Sequence, residues 1–275
     1  MKNLKKPQLL VIALAVFFIV LLLLLPRVEK PETEIVESEE VSSSVDETAD
    51  LSVENRALYE AILNKISSID NPIEKIDWYD SLSGFWESHG DIYQAAEALS
   101  EIANIIQDKP SYFIAGDKYF EAFQNGSDVY KKSAFKKATD SYQKVLDLNP
   151  EDLEAMTSLG VCYVEGAQMM GEAPMKGIGL LKKVLEIDPE NINALINLGY
   201  FATKSGQYEI AEQRFKRVLE IDPTYADAYI YLSDIYFNTD RKEKGIEQLE
   251  MYKQYVDNPE VIEQLDDYIE NIKNK

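Results

Sequence analysis

Cysteine is almost absent from this chain of 275 residues: Cys162 is the only one. That excludes an internal disulfide framework and a multi-thiolate metal site. Histidine is as scarce, with His89 its single copy, which removes most zinc, haem and Ser-His-Asp arrangements at the outset. Positive charge is short as well. Against 28 Lys and Arg stand 49 Asp and Glu, a formal net charge of −21, whereas a nucleic-acid partner needs clustered cations facing its phosphates. No nucleic acid is therefore expected. Glycine-rich phosphate loops, metal-ligand pairs and nucleophile motifs are missing too, so no enzyme, metal or cofactor is expected. His89 lies in Ser-His-Gly-Asp, which reads as a turn. Asn125-Gly126-Ser127 matches a glycosylation sequon but is mainly a turn signal. Acid pairs such as Asp266-Asp267 arise by chance in so acidic a chain.

Long apolar runs are absent with one exception. Residues 9–25 contain no polar side chain, and at about 1.5 Å per residue they make a helix of about 25 Å, near the lower limit for crossing a bilayer core. Pro26 and Arg27 end the run. A cleaved signal peptide would need small residues at its end, and Leu-Leu-Leu-Pro-Arg supplies none. The expectation is an uncleaved transmembrane anchor. Lys2, Lys5 and Lys6 in the basic tail (1–8) outnumber Arg27 and Lys30 behind the run, which favours a cytoplasmic N-terminus. This implies a single-pass protein of a bacterial inner membrane, its C-terminal part in the periplasm. Residues 26–55 then form an acidic spacer. From Pro31 to Asn55 no Lys or Arg occurs, and such a segment has too little apolar surface to offset its ordering entropy.

Beyond the spacer the chain repeats itself. VLDLNP at 145–150 returns as VLEIDP at 184–189 and again at 218–223, the last two spaced by 34 residues. Working back from these prolines, one unit reads Leu195, Leu198-Gly199, Ala202, Ala211, Phe215, Val218 and Pro223. The unit before it reads Met156, Leu159-Gly160, Tyr163, Gly177, Leu181, Val184 and Pro189, with the turn between its helices lengthened by EGAQMMGEAP. The unit after it has Tyr229, Leu232-Ser233, Tyr236, Gly245, Leu249 and Tyr252. Two earlier units are more divergent. One has Tyr112, Ala115-Gly116, Tyr119, Ala138, Tyr142, Val145 and Pro150; the other has Tyr79, Leu82-Ser83, Trp86, Ala95, Leu99 and Ile102. In pairs of packed helices the small positions let backbones approach and the large ones fill the space between. Gly177 and Gly245, where alanine is the better helix former, are expected to cost about 1 kcal/mol each.

This pattern, covering residues 76–257, resembles the tetratricopeptide repeat (TPR). Family resemblance implies an all-α, right-handed superhelical solenoid of about five units (76–110, 111–150, 153–189, 192–223 and 226–257), here with one N-terminal transmembrane helix. A leading helix (56–70) with Leu58, Ala61, Ile62 and Ile66 on one face, and a capping helix (260–275) with Ile262, Leu265, Ile269 and Ile272, would flank it. Anchor plus repeats is similar to the membrane-anchored TPR proteins of bacterial cytochrome c maturation and of the Sec translocon.

By the same resemblance, the first helix of each repeat lines a concave groove that takes a protein or peptide partner. The positions facing it would be Phe113, Asp117 and Phe120; Ser158 and Val161; Asn193, Ile196, Asn197, Tyr200 and Lys204; and Asp227, Ile230, Tyr231, Asp234 and Phe237. The alternative for Phe113, Phe120 and Ile230 is packing between neighbouring repeats. Only Asn197 and Lys204 match the clamps that hold a partner's C-terminal carboxylate, so that mode is not expected. The functional expectation is a membrane-tethered adaptor or scaffold, assisting assembly of a membrane or exported complex. The alternative is a fixed subunit of a larger membrane complex, contacting its partners through the convex face or the anchor.

Overall fold

The computed structural model describes residue 48, residues 51–171 and residues 174–274. The expected anchor, the basic tail and nearly all of the acidic spacer lie outside these. No helix among the described residues is long and apolar enough to cross a membrane. The chain divides into two units, Met1–Val53 and Glu54–Lys275, and the second carries the repeats.

That unit is helical throughout its described residues. Helix α1 (Val53–Ser68) is followed by five pairs: α2 (Pro72–Ser88) with α3 (Ile92–Ile106), α4 (Lys109–Asn125) with α5 (Lys131–Leu148), α6 (Leu153–Met170) with α7 (Met175–Ile187), α8 (Ile192–Lys204) with α9 (Tyr208–Ile221), and α10 (Ala226–Asn238) with α11 (Lys242–Tyr252). A 3-10 turn (Lys253–Tyr255) leads to α12 (Pro259–Lys273). Packing runs from each pair to the next, and the first helices α6, α8 and α10 also touch in turn. This is the all-helical solenoid that the repeat implies.

Short polar sequences between pairs place the helix ends. Asn149, Asp188 and Asp222 each cap a second helix, and each side chain accepts the backbone N–H two residues on, across a proline. The carbonyls of the same three residues accept from the N–H of Asp152, Asn191 and Tyr225, closing three like turns. Two of those donor residues then start the next helix. Asp152 accepts from the Ala155 N–H and Asn191 from the Ala194 N–H, both at 3.0 Å, satisfying one otherwise orphaned donor each.

Two expectations need correction. Glu165 to Met170 do not lengthen a turn; they continue α6, which ends at Gly171 with φ 67°. Ala, Gln and Met are good helix formers, and Gly166 lets the Phe135 ring of α5 lie directly on this extension. In α1, Ile62 and Ile66 are buried, but Leu58 is 53% exposed and Ala61 is exposed as well. Tyr59 takes their place, 5.9 Å from the Phe85 ring and 5.2 Å from Trp86. A helix at the end of an array has a neighbour on one side, so it buries a narrower stripe than a helix within it. On α12, Ile269 is buried and Ile262, Leu265 and Ile272 are half-buried.

His89 ends α2, where Nδ1 bonds the Phe85 carbonyl at 2.7 Å and Nε2 pairs with the Asn55 amide at 2.7 Å. Cys162 is fully buried, and burial pushes its thiol up to about 12, with Glu165 adding to the rise.

The fourth and fifth pairs share an ion cluster centred on a largely buried acid. Glu212 of α9 accepts from Lys216 (2.7 Å), from Arg241 at the start of α11 (2.7 Å) and from the Tyr236 hydroxyl of α10 (3.1 Å). Burial would raise its carboxyl, but these three bonds outweigh burial and hold it at about 2. Because the folded value lies below the ordinary one, this stabilisation is present near neutrality and fades as pH falls from about 5 towards about 2. After discounting for the exposure of Lys216, Glu212→Gln is expected to cost about 2 kcal/mol at neutral pH. Urea midpoints of the two proteins should converge on acidification. A gap that stays constant with pH would place the stabilisation elsewhere.

Candidate functional site

Phe113, Asp117 and Phe120 follow one another at helical spacing on α4, so they share a face. Glu154, Thr157, Ser158 and Val161 do so on α6, and Asn193 and Asn197 on α8. These three faces, with Tyr142 from α5, line one cavity of about 360 Å³. The structure thus brings together Phe113, Asp117, Phe120, Ser158, Val161, Asn193 and Asn197 of the expected positions.

Tyr142 joins the cavity through a gap left by a missing side chain. A Cβ on Gly116 would stand 2.9 Å from the Tyr142 ring, so the glycine in α4 lets that ring lie against the helix. The ring meets Phe113 edge-on at 5.5 Å, and its hydroxyl donates to Asp117 Oδ1 at 2.8 Å. Partial burial raises the Asp117 carboxyl; the Tyr142 bond opposes this and the Glu154 charge adds to it. Burial, with Asp117 next, pushes the Tyr142 phenol far up, so it stays a neutral donor.

Lys109, at the start of α4, bonds Asp152 at 2.8 Å and Glu154 at 3.0 Å and stands 5.7 Å from the Phe113 ring centre. Its ammonium is held charged by Asp152 first and Glu154 second. On α8 the Asn197 amide donates to the Asn193 carbonyl at 2.8 Å. No Lys or Arg lines the cavity.

The remaining expected positions lie elsewhere. Tyr231 stacks on Phe215 at 4.7 Å and meets Tyr200 edge-on at 6.3 Å. Lys204 sits over the Tyr200 ring and turns into a different cavity, of about 400 Å³, beside Phe201, Met175 and Arg214. Ile196 packs on the core around Leu195 and Phe215. Ile230 is half-buried, while Asp227 and Asp234 are exposed. Asp234 accepts from Asn238. Burial first, then Asp227, raises the Tyr231 phenol. Phe237 covers Gly245 and meets Tyr268 of α12 at 6.4 Å, a packing position.

Three lining residues, Tyr142, Glu154 and Thr157, are not among the expected positions. Glu154 and Thr157 hold the places in their repeat that Asn193 and Ile196 hold in the next, so their signal is present in the sequence. Tyr142 stands at a core position of a second helix, and only the folded pair shows its hydroxyl reaching the cavity.

Residues 202–263 match one tetratricopeptide repeat model and residues 180–213 another. No curated protein matches. Among solved structures, a crystal structure of MamA is 15% identical with a TM-score of 0.46, the match covering 63% of this chain and 94% of that one. MamA 41-end from Desulfovibrio magneticus RS-1 is 17% identical with a TM-score of 0.46, covering 66% and 94%. YrrB, described as a TPR protein with an unusual peptide-binding site, is 21% identical with a TM-score of 0.42, covering 73% and 95%. Tetratricopeptide repeats are thereby shown over residues 180–263.

Proposed function

We propose that this chain is a membrane-tethered protein-interaction scaffold. Its tether is the apolar run 9–25, with the repeats on the far side of the membrane from a cytoplasmic N-terminus. Its working surface is the concave face, where the cavity between α4, α6 and α8 holds an extended segment of a partner protein. One observation carries this reading: three successive first helices present rings, carboxylates and side-chain amides to the same space. Rings give contact area at low entropic cost, and amides pair with an extended backbone. A groove shared by several repeats suits a segment several residues long, and assembly of a membrane or exported complex is a role such a scaffold fits.

Photo-crosslinking in native membranes tests it. A crosslinking residue at Val161 or Asn197 should trap a partner, and Phe120→Ala should abolish capture. One at Lys183, exposed on α7, should trap none. Capture at Lys183 but not in the cavity would favour the fixed-subunit alternative. The same membranes, washed at alkaline pH, should retain the chain; its release would remove the tether.

A further inference from the structure

The carboxylates near the cavity are not equally neutralised. Asp152 and Glu154 share Lys109. Asp117 is exposed to the same space, and its partner is the uncharged Tyr142 hydroxyl. Two acids, Asp117 and Glu154, therefore line a space that contains no lining cation. Both carboxylates are exposed to that space, so a guest covering Asp117 without positive charge would bury it uncompensated, and a cationic guest avoids that cost. The walls suit the same guest. Phe113 and Phe120 are half-buried and offer ring surface to an aliphatic stem, while the ring faces attract a cation. An acidic guest would meet Asp117 and Glu154 and be repelled.

We propose that the cavity receives a lysine or arginine side chain of an extended peptide, with Asp117 as its ion-pair partner and Phe113 and Phe120 against its stem. This rests on the docking reading above and specifies the guest. Asn193 and Asn197 would meet the peptide backbone beside that side chain, and the net charge of −21 would draw a basic segment from a distance.

The test uses the full chain in detergent and an array of acetylated, amidated nonapeptides with one position varied at a time. Lys and Arg should be enriched at one position and Asp and Glu depleted there. For a selected lysine peptide, replacing that lysine with acetyl-lysine or norleucine should weaken binding by about tenfold or more. D117N should remove a similar factor from the lysine peptide and leave the norleucine peptide unchanged. Equal loss on both peptides, or selection of apolar or acidic residues, would overturn the ion pair while docking stands. No binding across the array would overturn docking itself. The peptide substitutions read out on the unaltered protein, so the outcome does not depend on D117N folding.

Discussion

Adding one methyl group at Gly177 is expected to break the α6–α7 pairing, while adding one at Gly179, two residues along α7, should stabilise it. A Cβ on Gly177 would fall well inside contact distance of the Gly160 carbonyl oxygen and 2.9 Å from the Val164 backbone nitrogen. Both obstacles are main chain, so neither can turn aside as a side-chain tip would. Gly160 mirrors the arrangement: its own Cβ would stand 3.1 Å from the Gly177 carbonyl oxygen and 3.0 Å from Leu181. The two helices therefore touch backbone to backbone. G177A should cost about 2–4 kcal/mol, even though alanine returns about 1 kcal/mol of helix propensity. Gly179 is exposed with nothing within 4 Å of a Cβ, so G179A should gain about 0.5–1 kcal/mol. Urea midpoints measure both, and amide exchange should show the G177A loss centred on α6 and α7. A neutral G177A would mean that the helices have room to separate.

Gly177 and a second glycine, Gly245 of α11, show what a sequence read in one dimension does not contain. Gly177 and Gly245 look like poor helix residues, and by propensity alone they are. Each faces something that leaves alanine no room, the α6 backbone at Gly177 and the Phe237 ring at 2.5 Å from a Cβ on Gly245. Propensity is local, whereas the distance between two helices is decided by both. What was legible was local chemistry with a fixed period: the Asn-Pro and Asp-Pro motifs, and the Leu-Gly, Leu-Ser and Ala-Gly steps of the first helices. The insertion after Tyr163 was visible as extra length, but residues 165–170 could not be assigned to helix without knowing that Phe135 would cover them. The candidate site was legible to the same degree. Resemblance to the repeat grouped Phe113 with Asp117 and Asn193 with Asn197, yet it gave no means of separating rings that line a cavity from rings stacked on the core. Tyr142 and Tyr231 make the point from opposite sides. One is a core ring whose hydroxyl reaches the cavity; the other stands at a groove position and rests its face on the core.

The support under Tyr231 is where the other large loss is expected. Phe215 is fully buried in α9 and stacks against Tyr231 at 4.7 Å with planes 13° apart. Across the pair it fills the space left by Gly199, whose Cβ would stand 2.8 Å from the Phe215 ring. One side chain thus joins α8, α9 and α10. F215A should cost about 3–5 kcal/mol, the transfer loss of the ring plus the void it leaves. F215L, which keeps much of the volume, should cost less than half as much. Two buried clusters stand among the described residues, one reaching from Tyr93 to Ala194 and the other from Leu195 to Tyr236, with α8 contributing to both. In a linear array each repeat leans chiefly on its neighbours, so the damage should stay local. Amide exchange in F215A is expected to accelerate in α8 to α11 and to change little in α2 to α5. Crosslinking through Asn197 on α8 should then weaken, while crosslinking through Val161 on α6 persists. Uniform acceleration along the chain would mean that the repeats unfold as one unit, and that the cavity and the stacked rings beyond it stand or fall together.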